Sequence, residues 1–111
     1  MREQDIQTLI RNALGRCNDL ALWRNNVGEL LDARGRAVTF GLAIGSADLV
    51  GILAPTGRFF ALEVKVPGRK AKPHQETWLA LVRSLGGFAA VVTSVDEALA
   101  AVQRARLGED R

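Results

Sequence analysis

A chain of 111 residues with a formal net charge of +3 and a pI near 9.8 can build one core but no separate substrate module, so residues 1–111 read as a single domain. The mild basic excess suits a polyanionic partner without requiring one. Cys17 is the single cysteine, which excludes an internal disulfide and a cysteine-built zinc centre and points to a reducing compartment. No apolar run approaches the about 18 residues of a membrane span, and no secretory leader follows Met1. The expectation is a soluble cytoplasmic protein with no membrane association and no organic cofactor.

From the N-terminus, Ile6, Leu9, Ile10, Ala13 and Leu14 recur at helical spacing, which predicts an amphipathic helix over about Arg2 to Arg16. Glu3 stands at the edge of that apolar face. It can point along the face into a cleft, or serve as an ordinary first-turn acid complementing the helix dipole. Cys17 follows as a small buried residue. Leu20 to Asn26 reads as a short strand with Trp23 and Arg24 on opposite faces. Between Val27 and Ala43, glycines 28, 35 and 41 interrupt charges and short apolar pieces. That segment is either a turn at Arg34 to Arg36 flanked by short strands, or a mobile loop over a cleft. Arg24, Asn25 and Asn26, with Arg34 and Arg36, are candidates to contact phosphates or a neighbouring base; the alternative is a solvated loop.

The stretch GSADLVGILAPTGRFFALEVK, Gly45 to Lys65, predicts a β-hairpin with strands Asp48 to Ala54 and Arg58 to Val66 around Pro55, Thr56 and Gly57. Phe60, Leu62, Val64 and Val66 fall on a core face, so Glu63 and Lys65 share the other. Closure of the hairpin brings Asp48 towards them. A three-residue loop sets Asp48 opposite Val64, on the core face, whereas an even loop such as Pro55 to Arg58 sets it opposite Lys65. A bulge, or an Asp48 outside the regular ladder, would also serve. Two acids and a lysine at one sheet end suit a hard divalent cation, which takes one or two carboxylates with water and substrate phosphate. The lysine would neutralise a phosphate or orient an attacking water. The alternative is a surface hairpin with an exposed Glu–Lys pair.

Beyond Lys65, Arg69, Lys70 and Lys72 crowd a loop at the rim of that site, where a nucleic-acid backbone would be held or where the chain simply links strand to helix. Pro73 opens a helix that runs to about Leu85 and stops at Gly86 and Gly87. Gln75, Trp78, Leu79 and Val82 share its inner face, which places Gln75 at the end nearest the site; His74, one position round, is exposed and suits a phosphate contact. Phe88 to Thr93 reads as a strand. Ser94 and Glu97 form a capping box for a last helix with Val95, Ala98, Leu99, Val102 and Leu107 as its buried stripe. GEDR at the C-terminus reads as a frayed tail. A hairpin followed by a strand, helix and strand implies a mixed sheet with helices packed on it.

GSADLVG, the hairpin turn, LEVK and a helix opening with His74 and Gln75 together resemble the VRR-NUC family of the PD-(D/E)XK nuclease superfamily, over nearly the whole chain and in the manner of a small stand-alone, phage-type member. The resemblance implies the αβββαβ core of restriction-enzyme-like nucleases. It matches Glu3 to the family's leading acid, Asp48 to its metal-binding aspartate, Glu63 and Lys65 to its ExK pair, and Gln75 to its helix glutamine. Asp48, Glu63 and the Val64 carbonyl are the implied metal ligands. Ala47 stands where the superfamily's name has a proline, a change that removes no ligand.

The expected function is therefore hydrolysis of DNA phosphodiesters by a magnesium- or manganese-dependent nuclease, an endonuclease in preference to an exonuclease, with Glu3, Asp48, Glu63, Lys65 and Gln75 forming the catalytic pocket. Arg24, Asn25, Arg69, Lys70, Lys72 and His74 are the expected DNA contacts, in the cytoplasm of a bacterial or phage-infected cell. Selectivity for junctions or flaps, or a non-catalytic DNA-binding role on the same fold, are the alternatives. Cutting two strands symmetrically needs two sites, so a homodimer is expected, with Leu30, Leu31, Val38 and Phe40 as its candidate interface.

Overall fold

The computed structural model describes residues 1–111. Helix α1 (Glu3–Leu14) leads into strand β1 (Leu20–Arg24), a short pair β2 (Gly28–Leu31) and β3 (Ala37–Phe40), and the central strands β4 (Leu49–Leu53) and β5 (Arg58–Val64). Helix α2 (Pro73–Ser84), strand β6 (Phe88–Val92) and helix α3 (Val95–Arg106) complete the chain. The main sheet runs β1-β4-β5-β6. Its first two pairings are antiparallel, and β5 and β6 are parallel across the α2 crossover. The sheet-forming elements thus follow the αβββαβ order, with β2 and β3 inserted as a separate two-stranded ribbon. No helix is long and apolar enough to cross a membrane.

Strand β5 is buried on both faces, which is why FFALEV reads apolar at nearly every position. Phe60, Leu62 and Val64 enter the larger core with Ile6, Ile10 and Leu14 of α1 and with Ala98, Ala101, Val102 and Ala105 of α3. Ala61 faces the other way, into a smaller cluster with Ala47, Leu79, Val82 and Ala89. The second face of β5 is therefore covered by α2, and Glu63 and Lys65 are buried rather than displayed on an exposed hairpin.

Several boundaries and faces differ from the sequence reading for local reasons. Leu9 is exposed, because α1 buries only its Ile6, Ile10 and Leu14 line. The buried stripe of α3 is made mostly of alanines, and Leu99 and Leu107 face solvent; small side chains let the helix approach the sheet closely. Ser94 Oγ accepts from Glu97 N, but the Glu97 carboxylate returns to the N–H and hydroxyl of Thr93 rather than to Ser94. The C-terminal residues are not frayed: Asp110 O accepts from Ala89 N at 2.9 Å, along the outer edge of β6, and Arg111 O accepts from Arg104.

The register of the central hairpin decides where Asp48 goes. Leu53 pairs with Arg58 and Leu49 with Leu62, so the loop is Ala54 to Gly57 and one further step sets Asp48 opposite Glu63. Neither of the two worked registers occurs; the loop is even, but begins one residue earlier. Arg58 is held in the ladder because its guanidinium donates to Gly86 O, Gly87 O and Ala105 O. Asp48 itself lies just outside the strand, and this combination keeps it on the Glu63 face.

The segment from Val27 to Ala43 is a turn between strands. Asp32 organises it by accepting from Arg34 N and Arg36 N and by pairing with the Arg36 guanidinium at 2.9 Å. Gly28, Leu30, Val38 and Phe40 share one face of this ribbon, and Phe40 lies over Gly28, filling the place of a missing side chain. Leu30, Leu31, Val38 and Phe40 are all exposed.

In the main sheet, β1 and β4 approach so closely at Gly51 that a Cβ there would sit 2.0 Å from Ala21 O. Gly51→Ala should therefore push β1 off the sheet and cost about 1–3 kcal/mol, the range for overpacking. Urea unfolding of the variant measures this, with no loss of stability as the contrary result.

Candidate active site

The end of the main sheet where β4 begins and β5 ends holds a charged cleft of about 490 Å³, lined by Glu3, Asp48, Glu63, Lys65 and Gln75 with Arg69, Lys70 and Lys72 at its rim. The inner residues arrive from separate parts of the chain, with Glu63 and Lys65 together at the end of β5 and Asp48 from just before β4. α1 delivers Glu3 from its first turn, β5 delivers Glu63, and Lys65 follows immediately, anchored by its N–H on Val92 O. α2 delivers Gln75, whose carbonyl accepts from Lys72 N and so caps its own helix.

The contacts are directional. Asp48 Oδ2 accepts from Val64 N at 2.8 Å, in place of a backbone carbonyl of β4. An extended residue turns its N–H and C=O to the same side, so the Val64 carbonyl also faces past the end of β4. Gln75 Nε2 donates to Glu63 Oε2 at 3.1 Å, and Lys65 Nζ lies 3.5 Å from that same oxygen. Lys65 Nζ is also 4.0 Å from Glu3 Oε1. The other Glu63 oxygen, Oε1, is buried and has no hydrogen-bond partner. An unsatisfied buried acceptor is costly, and here it sits beside a second carboxylate.

Burial is the first cause that raises the Glu63 pKa, to about 8, followed by the charge of Asp48; Lys65 opposes both only in part. Burial likewise raises Asp48, against the lowering effect of the Val64 N–H. The pair resists carrying two negative charges.

The donors fit a hard divalent cation. No three His, Cys, Asp or Glu side chains converge to enclose a metal by themselves, but such ions commonly take one or two carboxylates and complete their shells with carbonyl, water and phosphate oxygens. Asp48, Glu63 and the Val64 carbonyl supply oxygen of that kind.

Asn25 has a duty the sequence did not reveal. Its Nδ2 donates to Ser46 Oγ and to Ala47 O, both at 2.8 Å, and its Oδ1 accepts from Leu42 N. Its backbone N–H donates to Asp48 O. Both amide hydrogens and the carbonyl are engaged within the chain, so Asn25 clasps the segment that carries Asp48. The small residues of GSAD are the only sequence trace of this tight packing. Arg24 lines a second cleft on the β2–β3 ribbon side of Asp48. His74 is exposed against Gly45 and stands outside the charged cleft.

A mixed β1-β4-β5-β6 sheet carrying two acids and a lysine at the end of its central hairpin defines a nuclease-type α/β fold. A solved structure described as a VRR_NUC domain has the same fold, with a TM-score of 0.62 at 24% identity, covering 91% of this chain and 94% of that one. A sequence model of the VRR-NUC domain matches residues 1–96, and the chain belongs to that family, within the PD-(D/E)XK nuclease superfamily. Domains of this superfamily generally use divalent metals. No curated protein matches the chain significantly.

The raised Glu63 pKa sets the pH dependence of the metal-free fold. Between the ordinary carboxyl value near 4.5 and about 8, the folded state holds a proton that the unfolded chain releases, so stability falls as pH rises through that window. Glu63→Gln removes this penalty. In chelator it should melt on the order of 5–10 °C above wild type at pH 8, with the gap closing towards pH 4.5. Parallel melting curves for the two proteins across that range would contradict the pairing.

Proposed function

We propose that this protein is a magnesium- or manganese-dependent endonuclease that hydrolyses DNA phosphodiester bonds. The observation that carries the reading is half-buried Asp48 beside buried Glu63 and Lys65, with Glu63 Oε1 left unpartnered. Asp48, Glu63 and the Val64 carbonyl would hold the cation, which when bound supplies Lewis-acid polarisation of the phosphate and a more acidic water. Gln75 and Lys65 both engage Glu63 Oε2, which fixes the carboxylate and leaves Oε1 free. Lys65 would hold the attacking water and offset charge on the phosphate, with Glu3 Oε1 4.0 Å from its ammonium. Arg69, Lys70 and Lys72 hold the DNA backbone along the rim, with His74 further out.

Asp48→Ala, Glu63→Ala or Lys65→Ala should each reduce cleavage at least about 100-fold, and a double variant should be little worse than a single one, because residues acting as a unit do not lose activity independently. Single-stranded, duplex, flap and four-way-junction DNA incubated with magnesium, manganese or chelator measures activity and structure selectivity together. Absence of nicking on every form would leave a non-catalytic DNA-binding protein. Magnesium at a hundredfold excess over Kd should stabilise the fold by about 2.7 kcal/mol, a melting shift on the order of 10 °C. An equal shift in Glu63→Gln would remove Glu63 from the ligand set.

The basic rim acts through phosphate contacts. Replacing Arg69, Lys70 and Lys72 with Ala should flatten the salt dependence of DNA affinity by up to about three contacts' worth; an unchanged slope would free the loop of that role.

A two-fold dimer accounts for the exposed outer ribbon. Leu30, Leu31 and Val38 project from a ribbon that pairs with no strand of the main sheet, while Phe40 sits at its base and lines the second cleft at Asp48. Light scattering at micromolar concentration should give twice the chain mass and a monomer for Leu30→Glu; a monomeric wild type would count against the interface.

A further inference from the structure

Two clefts meet at Asp48, and their linings differ. The charged one carries the acids, Lys65 and the basic rim. The other, also about 490 Å³, lies under the base of the β2–β3 ribbon and is lined by Gln7, Arg24, Asn26, Val27 and Phe40 as well as Asp48. Apart from Asp48, its only charge is Arg24. Neutral amides from Gln7 and Asn26 can both donate and accept hydrogen bonds, Phe40 offers an aromatic ring, and Val27 adds an apolar wall. Asn25, beside them, has its amide fully engaged elsewhere and does not compete for a ligand.

A phosphodiester placed at Asp48 has a nucleoside on each side. The charged cleft suits the backbone on one side, because its rim is lysine and arginine. The ribbon-side cleft has a single guanidinium, Arg24, for a phosphate, and the rest of its lining matches a base, with amides for its edge and Phe40 for its face. We propose that this cleft is a nucleoside subsite that takes the base immediately next to the scissile phosphate. The proposal rests on the nuclease reading for the position of the phosphate. A base entering the cleft must leave its stack, which costs least where the nucleotide is already unpaired. The subsite therefore selects DNA with an unpaired nucleotide beside the cut, and it links specificity to the inserted ribbon rather than to the catalytic group.

The test uses a DNA substrate with a mapped cut, into which single abasic residues are introduced at successive positions around the cleaved bond. For wild type, one position next to the cut should lower kcat/KM about 5- to 100-fold, the loss expected for one stacked base, with little effect two or more nucleotides away. Phe40→Leu keeps an apolar side chain over Gly28 but loses the aromatic face. It should show most of that loss on intact DNA and little further loss on the abasic substrate. Asn26→Ala, away from the ribbon strands, should weaken the same positional effect. A flat abasic profile with normal cleavage, or a Phe40→Leu loss of equal size on intact and abasic DNA, would overturn the subsite.

Binding in chelator supplies a readout that does not need turnover. Wild type should prefer oligothymidylate to a wholly abasic strand of the same length, and Phe40→Leu should narrow that preference. If no DNA is cut but this preference and its dependence on Phe40 persist, the nuclease reading fails, and with it the scissile neighbour, while the cleft stands as a base-binding site. If cleavage is normal and the two strands bind alike, the subsite alone fails.

Discussion

Two carboxylates held together, Glu63 buried and Asp48 half-buried, are the constraint on which the site depends. Asp48 and Glu63 face each other because the loop from Ala54 to Gly57 puts them in register, and burial then makes their joint ionisation unfavourable. Left to itself, such a pair would separate or stay protonated. The chain opposes separation from several directions: Val64 N–H holds Asp48, Gln75 and Lys65 hold Glu63, and Asn25 holds the backbone that precedes Asp48. The cost of assembling two acids is thus carried by the metal-free fold, as a retained proton below about pH 8 and as repulsion above it; a bound cation would relieve both.

The layers around β5 make that assembly possible. A strand open to solvent on one face would leave Glu63 hydrated, with an ordinary pKa and free rotamers. Here α1 and α3 close one face and α2 the other, so the side chains at the end of β5 emerge into a cleft with fixed walls. The same layering explains why the acid and the lysine come two residues apart: both must leave the strand on the α2 side, and period-two alternation provides this while Val64 between them fills the main core.

Much of this was legible in the sequence, and the exceptions have identifiable causes. Helical spacing in α1 and α2, the Pro73 start and the apolar β5 run are local signals, so those elements fall within a few residues of their expected places. Glu3, Asp48, Glu63, Lys65 and Gln75 line one cleft; strand alternation, hairpin closure and the inner face of α2 pointed to the last four, whereas Glu3 could be singled out from an ordinary first-turn acid only through the family resemblance. The register of Asp48 was not readable, since it depends on Arg58 reaching three carbonyls far along the chain. Asn25 looked like a free polar residue because its partners, Leu42, Ser46 and Ala47, lie across a ribbon whose strands carry only weak signals. The tail looked frayed because GEDR is polar, yet its anchoring is through backbone on the β6 edge.

Helix α3 and the residues after it have a consequence for where the folding unit ends. The segment shared with the family stops at residue 96, but Ala98, Ala101, Val102 and Ala105 supply a wall of the larger core, and Asp110 closes the edge of β6. Similarity and packing therefore draw different boundaries. A fragment cut at the limit of the shared segment would retain every candidate metal ligand and still expose the underside of the strand that presents them. The portion of the chain beyond that match is, in this fold, part of what keeps the matched portion in shape.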